Sequence, residues 1–256
     1  MRYLPSFTLE SRTVLVTGAG RGIGRALAIG MAEAGADLIL VSRTKADLES
    51  AAAEIERIGR RAWVFTCDVT KKEDVMSVFQ QIDEQAIALD ILVNNAGMNI
   101  RSKALEVTDE EWSTIMNTNL RSSFWFAQES GRRMKERGGR IITIASVAGT
   151  VALRTGVVYA ATKAALIQMT KNLALEWGTH NINVNAIGPW YFKTPLTENL
   201  LSDDDYLSDI LAVTPLKRVG ELPELVGPAV FLASEAGGYI NGQTLFVDGG
   251  MTIQGF

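Results

Sequence analysis

The sequence predicts an α/β fold, a doubly wound and mostly parallel sheet with helices on both faces. Three observations carry that expectation. Short β-branched runs alternate with longer amphipathic ones along the chain, the order that builds parallel sheets through right-handed crossovers. The short runs are almost continuously apolar, with little alternation, as strands buried on both faces are. Glycines stand where the amphipathic runs stop, the usual helix C-terminal signal.

The elements follow in order. Thr13–Thr17 (TVLVT) is a strand stopped by Gly18, and the helix Gly22–Ala34 ends at Gly35. Asp37–Ser42 is the second strand, Lys45–Ile58 a helix closed by Gly59, and Arg61–Thr66 the third strand. Thr70-Lys-Lys-Glu73 has capping-box spacing and opens the next helix. Asp90–Asn94 is the fourth strand. A second capping box, Thr108-Asp-Glu-Glu111, opens a helix expected to run to about Arg137, before Gly138-Gly139. Arg140–Ala145 is a strand, Val157–Trp177 a helix and Asn181–Ile187 a strand. Pro223–Ser234 is a helix with proline at its start, and Gln243–Val247 the last strand. No shift in composition marks a second domain, so residues 1–256 read as one domain, with a loop and short helices at about 190–215.

Composition removes several classes of function. The chain has 256 residues, 25 Lys+Arg and 29 Asp+Glu, a formal charge of −4, and 47% apolar residues. That is a globular composition rather than a disordered one, and it lacks the basic excess that draws proteins to nucleic acid. A single cysteine, Cys67, cannot form an internal disulfide, which fits a reducing compartment. A single histidine, His180, excludes a multi-histidine metal site and weakens any histidine-based triad. With no signal-like N-terminus and no membrane-length apolar run, a cytoplasmic protein is expected, without membrane partners.

In parallel α/β sheets, ligands bind beyond the carboxyl ends of the strands. The first strand is followed by Thr17-Gly18-Ala19-Gly20-Arg21-Gly22-Ile23-Gly24. Glycines at a strand-to-helix turn let the main chain approach a pyrophosphate, and the helix N-terminus offers free N–H groups. The turn therefore reads as the dinucleotide site expected of a Rossmann fold, the alternative being a tight strand-to-helix connection with no ligand. The second strand ends at Ser42-Arg43, where an NAD site usually carries a carboxylate for the ribose diol. Here Arg43, together with Arg21, offers guanidinium groups suited to the 2′-phosphate of NADP. Asp68, after the third strand, is placed to accept from the adenine amino group. Tyr159 and Lys163 lie four apart on one face of a predicted helix. A nearby ammonium stabilises a phenolate, and lowering a tyrosine pKa by about three units takes roughly 4 kcal/mol.

Taken together, Thr17–Gly24, Asn94-Asn95-Ala96-Gly97, Asn119, Ser146 and Tyr159-Ala-Ala-Thr-Lys163 resemble the short-chain dehydrogenase/reductase family over nearly the whole chain. The resemblance implies an NADP-dependent oxidoreductase that interconverts a secondary alcohol and a ketone. In it, Tyr159 is the proton donor or acceptor and Ser146 bonds the substrate oxygen. Lys163 holds the nicotinamide ribose, and Asn119 holds a water in a proton relay. Coenzyme contacts are expected from Gly18, Arg21, Gly22, Ile23, Gly24, Ser42, Arg43, Asp68, Val69, Asn94, Ala96, Gly97, Tyr159, Lys163, Pro189, Phe192 and Thr194. Thr194 is expected at the nicotinamide carboxamide, and no metal is required. The resemblance further implies a homotetramer, with the apolar tail Met251–Phe256 in a subunit contact, and a mobile substrate lid at about 190–215.

Several stretches, among them Asn99–Glu106 and Thr170–Trp177, look closest to the gluconate 5-dehydrogenase-like branch, whose substrates are sugar acids or polyols. Arg101, Lys103, Arg154 and Lys193 are candidates to meet a carboxylate. Alternatives sharing the motifs are 3-oxoacyl-carrier-protein reductases, glucose 1-dehydrogenases and broad carbonyl reductases; a non-catalytic NADP-binding sensor is a reading of another class. The chain departs from the family at Pro189-Trp190, where glycine commonly follows proline. Trp resists the dihedrals that Gly permits, so either the turn is altered or Trp190 lines the substrate pocket. The run Asp203-Asp204-Asp205 reads as a solvated face or helix start.

Overall fold

The structure is a computed structural model that describes residues 3–154 and 156–253. The expected tail contact falls partly on residues 254–256, outside the described residues. Seven strands form one sheet in the order β3-β2-β1-β4-β5-β6-β7, every pair parallel. They are β1 Thr13–Thr17, β2 Asp37–Ser42, β3 Ala62–Thr66, β4 Ile91–Asn94, β5 Gly139–Ile144, β6 Ile182–Pro189 and β7 Thr244–Val247. The helices are α1 Gly22–Glu33, α2 Lys45–Arg57, α3 Lys72–Glu84, α4 Asp109–Met116 and α5 Ser122–Met134, then α6 Val157–Trp177, α7 Glu198–Leu201, α8 Asp204–Ala212 and α9 Pro223–Ala233.

Alternate strand residues feed two cores. Val14, Val16, Leu38, Leu40 and Ile142 pack under Leu27 and Met31 of α1, Leu48 and Ile55 of α2, and Leu225 and Leu232 of α9. Leu15, Ile39, Val41, Leu92 and Ile141 pack under Phe79 and Ile82 of α3, Phe126 and Met134 of α5, and Leu173 of α6. Burial on both faces explains why the central strands read as apolar runs. From β1 the chain winds outward through β2 and β3, then returns to β4 on the other side. A crevice therefore opens beyond the strand ends where the winding reverses.

Two local expectations are corrected. The Thr70 capping box does not form: α3 starts after Lys71 with no side-chain cap. The Thr70 hydroxyl donates instead to Asp68 Oδ1 at 2.7 Å, and Asp74 accepts from the Asp68 N–H at 3.0 Å. The Thr108 cap does form, accepting from the Glu111 N–H at 3.1 Å. The helix expected from there to about Arg137 is broken by a π-helical turn at Asn117–Arg121. There the Ser122 N–H bonds the Asn117 carbonyl, five residues back. The hydroxyls of Ser122 and Ser123 satisfy the Thr118 and Asn119 carbonyls at 2.6 and 2.9 Å, groups that the altered ladder would leave short of partners.

Candidate active site

A cleft of about 470 Å³ runs across the carboxyl ends of the strands, within the usual size for a small-molecule site. One end begins at the glycine turn. Gly18 sits at φ +67°, a conformation that disfavours other residues, and a side chain on the buried Gly24 would collide with the Gly18 carbonyl. Gly24 is thus a packing residue, whereas Gly18, Arg21, Gly22 and Ile23 line the cleft. Arg21 precedes α1 in extended conformation and its side chain makes no cap bond. The first-turn N–H groups of α1 therefore lack intrahelical partners.

Ser42, Arg43, Asp68 and Val69 complete that end. The Asp68 carboxyl is held below its ordinary range, first by the Thr70 hydroxyl and also by the Arg43 and Lys71 cations. Cys67 lies beside it, and burial pushes its thiol up to about 12, so it stays protonated and unreactive. Asp47, from the first turn of α2, also lines this end, and nothing in the sequence marked it.

The turn after β4 is tied to β1. Thr17 Oγ1 accepts from the Asn95 and Ala96 N–H groups, both at 3.0 Å, and Asn95 Nδ2 donates to the Thr17 carbonyl at 2.9 Å. Asn95, Ala96 and Gly97 line the cleft, and Asn94 does not. Asn94 points to the other face of the sheet, where its Nδ2 donates to the Ser123 carbonyl at 2.9 Å. The reason is strand geometry, since successive residues face opposite sides.

At the far end, Ser146 follows β5, while Tyr159 and Lys163 share one face of α6. Lys163 Nζ donates to the Ile144 carbonyl at 2.7 Å and lies 5.4 Å from the Tyr159 ring centre. Burial pulls the Lys163 pKa down to about 8. Burial also raises the Tyr159 pKa, against the lowering effects of a Ser146 hydrogen bond and the Arg101 guanidinium. Before coenzyme binds, then, desolvation rather than the lysine dominates the phenol. Asn119 is fully buried and does not line the cleft. Its amide binds both the N–H and the carbonyl of Met98, at 2.8 and 2.9 Å, and Thr162 Oγ1 at 3.2 Å. Both of its N–H donors are thereby engaged.

The far wall comes from the segment after β6. Pro189, Trp190, Tyr191, Phe192 and Thr194 all line the cleft. Trp190 is not among the residues of positive φ, so no glycine-like turn is forced on it. Its ring stands edge-on to Tyr191 at 4.6 Å, and its Nε1 donates to Thr214 Oγ1 at 2.9 Å. The Tyr191 and Tyr206 hydroxyls bond at 2.6 Å, joining this wall to α8. Asp203 caps α8, accepting from the Tyr206 N–H at 3.0 Å. Of the four candidate carboxylate-binding cations, only Arg101 lines the cleft. Arg154 pairs with Asp209 and Lys193 with Glu221, both at 2.6 Å on exposed surface, and Lys103 is exposed outside the cleft. Among the described residues, no cluster of His, Cys, Asp and Glu is arranged to hold a metal ion, and no helix is long and apolar enough to cross a membrane.

The chain is similar to known proteins over nearly its whole length. A family model described as enoyl-(acyl carrier protein) reductase matches residues 18–252. The chain is 40% identical over 249 residues to gluconate 5-dehydrogenase of Gluconobacter oxydans (strain 621H), spanning 96% of this chain and 97% of that one. It is 40% identical over 252 residues to a tropinone reductase homologue of Arabidopsis thaliana, spanning 98% and 96%. The crystal structure of a gluconate 5-dehydrogenase from Burkholderia cenocepacia J2315, in complex with NADP and tartrate, superposes with a TM-score of 0.95 at 38% identity, covering 99% of this chain and 100% of that one. The chain belongs to the short-chain dehydrogenase/reductase family. It is an oxidoreductase.

Proposed function

We propose that this enzyme uses NADP to interconvert a secondary alcohol and a ketone on a sugar acid, as the names of its gluconate-dehydrogenase relatives suggest. The donor set fits the coenzyme. Free N–H groups at the start of α1 suit a pyrophosphate, and Arg21 and Arg43 suit a 2′-phosphate. Gly18, Gly22, Ile23, Ser42, Arg43, Asp68, Val69, Ala96, Gly97, Pro189, Phe192 and Thr194 would hold it along the cleft. When bound, NADP supplies the hydride chemistry and, in its oxidised form, a positive ring.

The chain's own residues manage the proton. In reduction the Tyr159 hydroxyl donates to the carbonyl oxygen, and in oxidation the phenolate takes the proton from the alcohol. The Ser146 hydroxyl orients the substrate oxygen beside Tyr159. Lys163 places a cation close to the phenol and lowers its pKa once a second positive charge shares the pocket. Asn119 acts as a positioning residue: it ties the Met98 loop to α6 at Thr162, next to Lys163. The segment at about 190–215 serves as the lid that excludes water.

One observation carries the sugar-acid reading. Arg101 lines the substrate end, acts electrostatically on Tyr159, hydrogen-bonds Tyr191, and forms no ion pair with the described residues. A guanidinium with no carboxylate partner, beside a proton donor, is suited to a carboxylate substrate. The test is a screen in both directions of hexonic acids and their keto forms against neutral ketones, free sugars and 3-oxoacyl thioesters. The acids should give the highest kcat/KM, and Arg101→Ala should raise their KM selectively. A neutral ketone or thioester turned over faster than every acid overturns the reading.

The proposal includes a homotetramer in the cytoplasm. Exposed Trp112 on α4, Phe124 on α5, Leu175 on α6 and Leu245 on the edge strand β7 supply apolar surface for subunit contacts. Light scattering at the mass of four chains is the expected result.

A further inference from the structure

The geometry points to Asp47 as a second determinant of coenzyme choice, a carboxylate that accepts from the adenosine ribose hydroxyls and keeps the site open to NAD as well as NADP. The inference rests on the coenzyme reading above and deepens it.

Three observations place Asp47 at that end of the cleft. First, it lines the cleft together with Arg21, Ser42 and Arg43. Second, a side chain added at Gly20 would lie 2.9 Å from Asp47 Cβ, 3.2 Å from Ser42 Oγ and 3.6 Å from Asp47 Oδ2. The side chains of Asp47 and Ser42 therefore converge over the bare Gly20 of the glycine turn. Ser42 ends β2, where a carboxylate would ordinarily meet the ribose. This chain lacks the acid at Ser42 and supplies one from the neighbouring helix instead. Third, none of the nearby cations forms an ion pair with Asp47. Lys45 pairs with Glu49 at 3.3 Å, and Arg43 acts on Asp68. Asp47 itself has no ion pair or hydrogen-bond partner among the described residues.

A carboxylate in that position acts with opposite sign on the two coenzymes. It accepts hydrogen bonds from the 2′- and 3′-hydroxyls of NAD, and it repels the 2′-phosphate that Arg21 and Arg43 attract. At this end, two guanidinium groups face two carboxylates, Asp47 and Asp68. The site holds a balance rather than a cationic pocket.

The test measures dissociation constants for NADPH and NADH by fluorescence titration of the whole enzyme, without substrate. Adenosine 2′,5′-bisphosphate and AMP serve as probes of this end alone. In Asp47→Asn, NADPH and the bisphosphate should bind about threefold or more tighter, and NADH and AMP about threefold or more weaker, moving the preference roughly tenfold. Asp47→Glu should restore part of the NADH binding. A merely structural role in starting α2 would shift all four constants together, and such a uniform shift overturns the inference. So does an unchanged NADPH-to-NADH ratio. A wild-type protein that binds neither dinucleotide overturns the coenzyme reading itself, a result that the ratio test keeps separate.

Discussion

At the coenzyme end, a glycine turn and a helix start bring main chain to the cleft wall beside the short and charged side chains of Ser42, Arg43, Asp47 and Asp68. Gly18 and Gly22 form the turn, the start of α1 supplies N–H groups, and Thr17 with Asn95 locks the turn after β4 to β1. At the substrate end, the wall is made of long side chains, Arg101, Tyr159, Trp190 and Tyr191, with Tyr206 behind them on α8. Main-chain geometry is set by a few glycines and by strand order. Side-chain geometry is set by packing between segments distant in sequence. The two ends should therefore respond differently to substitution.

The largest effect tests the join between them. Tyr159→Phe should cut kcat by about 10³-fold in both directions while the NADPH dissociation constant stays near the wild-type value. Full turnover by this variant would remove Tyr159 from the proton step.

Lys163 sharpens the comparison because it serves both ends. Its depression from 10.5 to about 8 corresponds to roughly 3 kcal/mol of disfavoured charge. Below pH 8 the folded apoenzyme carries that charge buried, whereas between about 8 and 10.5 the unfolded chain binds the extra proton. Stability from this group therefore rises with pH across that window. Lys163→Met should abolish turnover and yet leave the apoenzyme at pH 7 at least as stable as wild type. The advantage should shrink as pH rises past 8, in chemical melts at a series of pH values. A variant less stable at pH 7, with an advantage that grows with pH, would show that the Ile144 bond outweighs the buried charge.

The coenzyme end should give a smaller effect. The unmodified enzyme should favour NADP over NAD by about tenfold in kcat/KM, about 1.4 kcal/mol. Arg43→Asp should shrink or reverse that preference without changing kcat on the preferred substrate. Equal use of both coenzymes by the wild type would show that the guanidinium groups do not discriminate.

This contrast also sets what could be read from the residues. The succession of strands and helices follows from alternating patterns; Gly18 and Gly22 fall at a strand end and Tyr159 and Lys163 on one helix face, where spacing locates them, whereas Ser146 is marked by the family resemblance. The π turn was hidden, because Asn117–Arg121 continues a helical pattern and only the hydroxyls of Ser122 and Ser123 hint at altered carbonyls. Asn95 was passed over for Asn94 because the last residue of β4 fixes which amide faces the cleft. Asp47 was invisible because its place depends on how α2 packs against the glycine turn, a contact between elements with no local signature.

The Tyr191–Tyr206 bond gives the finest test, since it belongs wholly to the side-chain end. The hydroxyls meet at 2.6 Å, between the segment that follows β6 and the short helix α8. A net hydrogen bond of this kind contributes about 1 kcal/mol, so Tyr206→Phe should raise the KM for the acid substrate about fivefold by loosening the wall. Because the ring remains, the edge-on contact at 6.0 Å is kept, and kcat should hold. The coenzyme dissociation constants should not move, for Tyr206 does not line the coenzyme end. If they change along with KM, the two ends are mechanically coupled through the segment after β6, and the division between the two ends fails where it was drawn.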